Sequence, residues 1–113
     1  MLKLYGIKNC DTVKRARKWL DENGYDYEFH DFRSDGLNSE LLDLFVEKIG
    51  WEKMLNRRGT TWRKLPEADR ENLYEAKAKR LMLEQPTLIK RPVVDYDQRF
   101  TVGFDTNFFR EPT

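Results

Sequence analysis

Tyr5-Gly6-Ile7-Lys8-Asn9-Cys10-Asp11-Thr12 joins the first apolar run of the chain to its first helical pattern, and the rest of the architecture follows from how that junction is read. Upstream, Leu2, Leu4 and then Ile7 form an alternating run that reads as a short strand. Downstream, Val13, Ala16, Trp19 and Leu20 recur at helical spacing, with Lys14, Arg15, Arg17 and Lys18 on the other faces. Cys10, the only cysteine in 113 residues, therefore falls at or just before a helix N-terminus. Unpaired backbone N–H groups point there and the helix dipole favours negative charge. Such a place stabilises a thiolate, the nucleophilic form of cysteine.

A lone cysteine can also serve as a small buried hydrophobe. The strand–turn–helix placement and the neighbouring Lys8 and Lys14 favour the reactive reading, whereas Asp11 opposes it. An adjacent carboxylate raises a thiol pKa, unless it caps a free helix N–H and the dipole offsets it.

The length fits a single domain, residues 1–113, able to bury a real core. With 39% hydrophobic and 36% charged residues the chain reads as a heavily charged globule, not a disordered one. A formal net charge of +1 gives no overall drive toward nucleic acid or anionic membrane, so any cationic site must be local. No apolar run approaches the ~20 residues of a membrane span, and no secretory signal pattern opens the chain. One cysteine permits no internal disulfide, which points to a reducing compartment, the cytoplasm. Cys10 and His30 are too few for a zinc site, and no metal is expected.

Working outward, the first helix should end near Asn23-Gly24, and a second strand should run from Tyr25 to about Phe32, giving a βαβ unit with parallel strands. His30 reads as an ordinary edge residue. Arg33-Ser34-Asp35-Gly36 is a turn, and Ser39 is the expected cap of a helix with Leu41, Leu42, Leu44, Phe45 and Ile49 on its apolar face, ended by Gly50. Trp51, Met54 and Leu55 suggest a further short turn. The loop Asn56-Arg57-Arg58-Gly59-Thr60-Thr61 is read either as an anion grip or as a solvated basic corner. From Pro66 a single helix should run through Leu73, Ala76, Lys77 and Arg80, its apolar face thickened by Leu81, Met82 and Leu83, and be stopped by Glu84-Gln85-Pro86. This helical insertion, about 37–85, carries no linker-like composition at its edges.

Pro92 opens the Val93-Val94 run, a position at which a strand tolerates proline. Tyr96-Asp97-Gln98 is turn-like, and Phe100, Val102 and Phe104 alternate beyond it, which makes an antiparallel hairpin. Asp105 should cap a last short helix bearing Phe108 and Phe109, with the chain fraying from Arg110 to Thr113.

A βαβ unit with Cys at its first strand–helix turn, followed by a hairpin that opens with Pro, resembles the thioredoxin fold: here α/β, with a mixed four-stranded sheet and the helical insertion between the second strand and the hairpin. More specifically, Lys8-Asn9-Cys10-Asp11-Thr12, Asn56-Arg57-Arg58-Gly59-Thr60-Thr61-Trp62, Leu88-Ile89-Lys90-Arg91-Pro92-Val93-Val94 and Val102-Gly103-Phe104 resemble the ArsC-like family. That family includes glutaredoxin-linked arsenate reductases, Spx-type regulators and small YffB-type proteins, and the chain looks closest to the last. The resemblance implies a cis-Pro92 facing the cysteine and a glutathione-dependent thiol reductase. It implies three arginines beside the cysteine for arsenate reduction. Arg91 matches one, the second position falls on Asn56 with Arg57 or Arg58 adjacent, and the third falls near Val102, which argues against efficient arsenate reduction. A phosphatase-like Cys-x5-Arg loop is excluded because Ala16 stands six residues after Cys10, and the Cys-x-x-Cys switch is excluded by Val13.

The mechanism expected from these readings uses Cys10 as nucleophile toward a disulfide, mixed disulfide or oxyanion, with Arg91 supporting its thiolate. An external thiol, glutathione or another small one, resolves the adduct. Lys8, Asn9, Thr12, Arg57, Arg58 and Pro92, with Lys14, are the expected glutathione- or substrate-binding residues. A protein disulfide is a candidate partner, while membrane and nucleic acid are not expected. The competing class is a non-catalytic, Spx-like docking protein that contacts RNA polymerase.

Overall fold

The computed structural model describes residues 1–110; the expected fraying of 111–113 lies outside the described residues. The chain divides into two compact units, a sheet unit of residues 1–35 together with the chain from Arg91 onward, and a helical unit of Gly36–Lys90.

The sheet unit contains strand β1 (Leu2–Gly6), helix α1 (Asp11–Glu22) and strand β2 (Glu28–Asp31). After the helical unit come strands β3 (Val93–Tyr96) and β4 (Arg99–Val102). The strand order is β2-β1-β3-β4, with β1 parallel to β2 and both other pairings antiparallel, so the sheet is mixed and four-stranded. Its register places Leu4 opposite Phe29 and Val94. On this face Leu2, Leu4 and Val94 pack with Ala16 and Leu20 of α1 and with Phe109. Trp19, Tyr25, Phe104 and Phe108 ring Phe109 at centroid separations of 5.4, 5.4, 6.0 and 5.5 Å. Aromatic pairs at such spacing add edge and offset contacts to their burial.

Strand β2 is shorter than its alternating sequence predicts. Tyr25 instead turns inward, its N–H donating to Leu20 O and its ring stacking on Trp19, while the Tyr27 hydroxyl accepts from Arg17 Nε. The tyrosines are held by α1 and not by the ladder. Strand β4 also stops early, since Gly103 takes φ +83° and Phe104 leaves the sheet to join the aromatic ring. The hairpin turn is the two-residue Asp97-Gln98, both at positive φ, the twist that a tight hairpin requires. Asp105 does cap the last turn, accepting from Asn107 N–H before helix α7 (Asn107–Arg110).

The helical unit holds helices α2 (Ser39–Ile49), α3 (Trp51–Met54), α4 (Thr60–Lys64), α5 (Glu67–Arg70) and α6 (Glu75–Glu84), then a 3-10 turn at Pro86–Leu88. Asn38, and not Ser39, caps α2 by accepting from Leu41 N–H at 2.8 Å. Its buried residues are Leu42 and Phe45, as expected, and Val46, while Leu41, Leu44 and Ile49 are half-buried. The Gly-Thr-Thr loop is replaced after Gly59 by α4. The single helix expected after Pro66 is two helices. Asn72 takes φ 51°, which no continuous helix allows, and Lys77 Nζ satisfies the carbonyls of Ala68 and Glu71 at the break. The break rotates the apolar face of α6 to Ala78, Leu81 and Met82, leaving Ala76 and Leu83 exposed. Helix α2 packs on α3 and α6, and the Leu55–Ile89 bridge ties α3 to the segment leading toward Arg91.

Among the described residues no helix is long and apolar enough to cross a membrane.

The Asn38 cap satisfies a donor that would otherwise be unpaired at the helix start. Asn38→Ala should therefore lower stability by about 1 kcal/mol, read as a lower urea midpoint with an unchanged slope.

Candidate functional site

Cys10 is the N-cap of α1, with extended backbone angles (φ −92°, ψ 128°). Its N–H donates back to Ile7 O at 3.2 Å and its carbonyl accepts Lys14 N–H at 2.9 Å. The side chain is half-buried. Burial is the largest influence on the thiol and opposes its ionisation; the Val13 N–H, the Arg91 guanidinium and the Thr12 N–H together outweigh it and lower the pKa. The Val13 and Thr12 N–H groups are unpaired helix donors. They bear on the sulfur although it forms no regular capping bond. Sulfur thus occupies the place that a Ser or Asp cap would normally take. Asp11, the predicted rival cap, is an exposed first-turn residue of the helix.

Arg91 reaches Cys10 because it ends the return from the helical unit and immediately precedes β3, next to β1 in the sheet. Its guanidinium hydrogen-bonds the sulfur and attracts its negative charge. The Arg91–Pro92 peptide bond is cis. Pro92 is buried and its carbonyl accepts the N–H of Gly103 at 2.9 Å, so that oxygen is already committed to the sheet. Lys8 and Asn9 are exposed in the turn before Cys10, and Thr12 Oγ1 accepts from Arg15 Nη2 at 3.3 Å.

Arg57 and Arg58 belong to the helical unit. There they line a concavity of about 330 Å³ with Glu52, Leu55 and Lys90. The Arg57 guanidinium stands 5.6 Å from the Trp62 ring centroid, and Arg58 N–H donates to Asn56 Oδ1. His30 is on the edge strand with its ring 5.3 Å from that of Tyr5. A concavity of about 540 Å³ beside it, lined by Lys3, Tyr5, Glu28, Phe29, His30 and Asp35, contains neither Cys10 nor Arg91. Among the described residues no group of three or more His, Cys, Asp or Glu side chains is placed to hold a metal.

Two residues that shape the cysteine turn escape a sequence reading. A Cβ on Gly6 would lie 2.8 Å from Val13 Cγ2 and 3.8 Å from Arg91 Cβ, so glycine lets the end of β1 approach α1 closely. Asp31, at the end of β2, is buried; its carboxylate accepts N–H groups from Lys8 at 3.2 Å and Arg33 at 2.8 Å. Burial raises its pKa, but the N–H donors of Arg33, Lys8 and Ser34, with the Arg33 charge, bring it below the usual carboxylate value. The sequence signal is faint: an Asp that ends a strand ahead of Arg33-Ser34-Asp35-Gly36 is a common turn residue.

Fold and site define a class, a thioredoxin-like domain with one cysteine at the first strand–helix turn and a cis-proline opening the hairpin. The chain belongs to the ArsC family, whose model matches residues 5–111. It is similar to the solved YFFB protein, 49% identical over 97% of this chain and 96% of that one, with a TM-score of 0.91. An arsenate reductase (ArsC) related protein from Brucella melitensis is 50% identical, covers 96% of this chain and 91% of its own, and has a TM-score of 0.80. The global transcriptional regulator Spx of Enterococcus faecalis is 30% identical over 97% of this chain and 84% of its own length.

Arg91→Ala should raise the Cys10 pKa and slow its alkylation at neutral pH, read from the pH–rate profile with iodoacetamide; an unchanged profile would remove Arg91 from the site. Asp31 stabilises the fold above the ordinary carboxylate pKa, and that contribution is lost as pH falls through its lowered value. Asp31→Asn should therefore lower stability at neutral pH and flatten the loss of stability below about pH 4, measured by denaturant melts across pH.

Proposed function

We propose that the protein is a monothiol reductase in which Cys10 attacks the sulfur of a disulfide or mixed disulfide and glutathione resolves the adduct. The observation that carries this reading is the lowered pKa of Cys10, set by the N–H groups of Val13 and Thr12 and by Arg91 against the burial of the thiol. Thiolate is the nucleophilic form, and lowering the pKa raises its share at a given pH. Attack forms a Cys10–sulfur bond as the substrate S–S bond breaks, and the leaving thiolate departs with the electron pair and takes a proton from water. Because the chain has no second cysteine, an outside thiol must attack the mixed disulfide to regenerate Cys10. Two equivalents of glutathione then reduce one disulfide and leave as glutathione disulfide. Lys8, Asn9, Thr12, Arg91 and Pro92 are the residues proposed to receive the glutathionyl group, with Lys8 and Arg91 meeting its carboxylates. Turnover of this kind needs a reducing, glutathione-containing compartment such as the cytoplasm.

The likeness to arsenate-reductase-related proteins supports thiol chemistry, but an oxyanion substrate has less support. Among the described residues Arg91 is the arginine that bears on the Cys10 sulfur, and the third arginine position that the family resemblance implies falls near Val102. A second reading rests on the Spx relative: a docking protein that binds RNA polymerase and does not turn over.

The test is the pH dependence of Cys10 alkylation with and without glutathione, followed by intact mass. A reductase shows an apparent pKa below the ~8.5 of a free thiol and a single glutathione adduct that excess thiol removes. An ordinary pKa with no adduct sinks the reductase. Partner capture that survives Cys10→Ser, without glutathione-dependent turnover, favours the docking protein.

A further inference from the structure

Helix α1 ends in the charges that its own dipole disfavours. Asp11 opens the helix, Lys14, Arg15, Arg17 and Lys18 fill its middle, Asp21 and Glu22 end it, and no basic residue occupies the last turn. Cations are favourable at a helix C-terminus and anions at its N-terminus, so this arrangement costs stability where the reverse would add it. Local conflict of this kind is expected where a surface has a task besides folding.

The same residues shape a groove of about 410 Å³ that starts at Lys8, just before Cys10, and runs past Lys14, Arg17 and Lys18 to Asp21 and Glu22. Arg17 is not a loose surface cation. It is half-buried, its Nε donates to Tyr27 Oη at 3.1 Å, and its guanidinium lies 4.3 Å from the Phe29 ring centroid. A guanidinium fixed in advance loses little freedom when it meets a carboxylate. Lys18 is within 3.8 Å of Glu22, but both are exposed, and such a pair exchanges readily for a better partner. Lys8 and Lys14 are exposed, and Lys14 is tied to the cysteine turn through its N–H bond to Cys10 O.

From this geometry we propose that the groove receives an acidic polypeptide segment flanking the cysteine of a protein disulfide substrate. The inference rests on the thiol-exchange reading and deepens it by naming the substrate class. Acidic residues near the target cysteine lie along Lys8, Lys14, Arg17 and Lys18 while its sulfur meets Cys10. The groove's acidic end, Asp21 and Glu22, repels an acidic run longer than the basic part, which sets a direction for the bound chain. Attraction between charges at this surface acts mainly on the rate of encounter and falls with ionic strength.

The experiment uses two short peptides of equal length, each with one cysteine held as a 2-pyridyl disulfide. Glutamates flank the cysteine in one and glutamines in the other. Attack by Cys10 at the peptide sulfur forms the protein–peptide disulfide and releases 2-thiopyridone, whose absorbance gives the rate. Each rate is divided by the iodoacetamide rate of the same protein variant, which removes changes in thiolate reactivity. The expected result is an acidic-to-neutral ratio of about ten at low salt, as electrostatic steering produces, falling toward one at high salt and in the Lys14→Gln/Lys18→Gln double variant. Equal rates for the two peptides overturn the groove and leave thiol exchange standing. A ratio that persists in the double variant also overturns it. Failure of both peptides to release thiopyridone overturns the groove together with the reductase reading.

Discussion

The sulfur of Cys10 holds its place because three backbone segments converge on it, and the rest of the sheet unit is arranged to bring them together. The end of β1 supplies the turn, the start of α1 supplies two N–H groups, and the entry to β3 supplies Arg91. None of these would serve alone. Burial works against the thiolate, and only the sum of the helix donors and the guanidinium reverses it. Convergence needs close approach, which is why Gly6 is found where a methyl group would strike Val13. It also needs the turn pinned from the other side, which Asp31 does through the Lys8 N–H. A buried carboxylate is costly unless its lone pairs are used, and Asp31 uses them on the backbone of both the cysteine turn and its own turn.

Much of this was legible in the sequence where a residue's role is local. The switch from alternation at Leu2 and Leu4 to helical spacing from Val13 located the strand, the helix and Cys10 between them, because periodicity reports on the chain's own neighbours. The hairpin was legible for the same reason, with Asp97-Gln98 as its turn. Errors fell where tertiary contacts overrode local pattern. Tyr25 and Tyr27 alternate like strand residues, yet α1 claims their rings and hydroxyl. The helix expected after Pro66 breaks at Asn72 because the Lys77 ammonium satisfies the carbonyls exposed by the break. Nothing in the spacing of Leu73 and Ala76 could announce that contact, so the apolar face was read correctly at Leu81 and Met82 but Ala78 was missed and Ala76 wrongly included.

The site divides in a similar way. Cys10 was nominated by its type and place, a lone thiol at a helix start, and Arg91 by the family resemblance of its position before Pro92, and the structure brings the two together. Asp31 and Gly6 were missed because their effect passes through other residues. An aspartate at a strand end is an ordinary turn former until its acceptors are seen to face Lys8 N–H, and a glycine is merely small until Val13 is seen against it. Arg57 and Arg58 were nominated on residue type alone, and their surroundings are those of the helical unit, with Trp62, Asn56 and Lys90.

The near-neutral total charge of the chain hides the feature that most distinguishes its surface. A net charge of +1 is the balance of 21 basic and 20 acidic residues, and it says nothing of how they are ordered. Along α1, Asp11 opens the helix, four cations fill its middle, and the acidic pair Asp21 and Glu22 ends it against the dipole. At the Cys10 end the helix N–H groups and Arg91 act with the same sign on the sulfur and lower its pKa against burial. In the proposed exchange the cations of α1 would draw carboxylates toward the turn, while the helix donors and Arg91 favour the ionised sulfur. A single cysteine resolved by an outside thiol, as proposed, would need both effects, because each half of such a cycle begins with an encounter between two molecules.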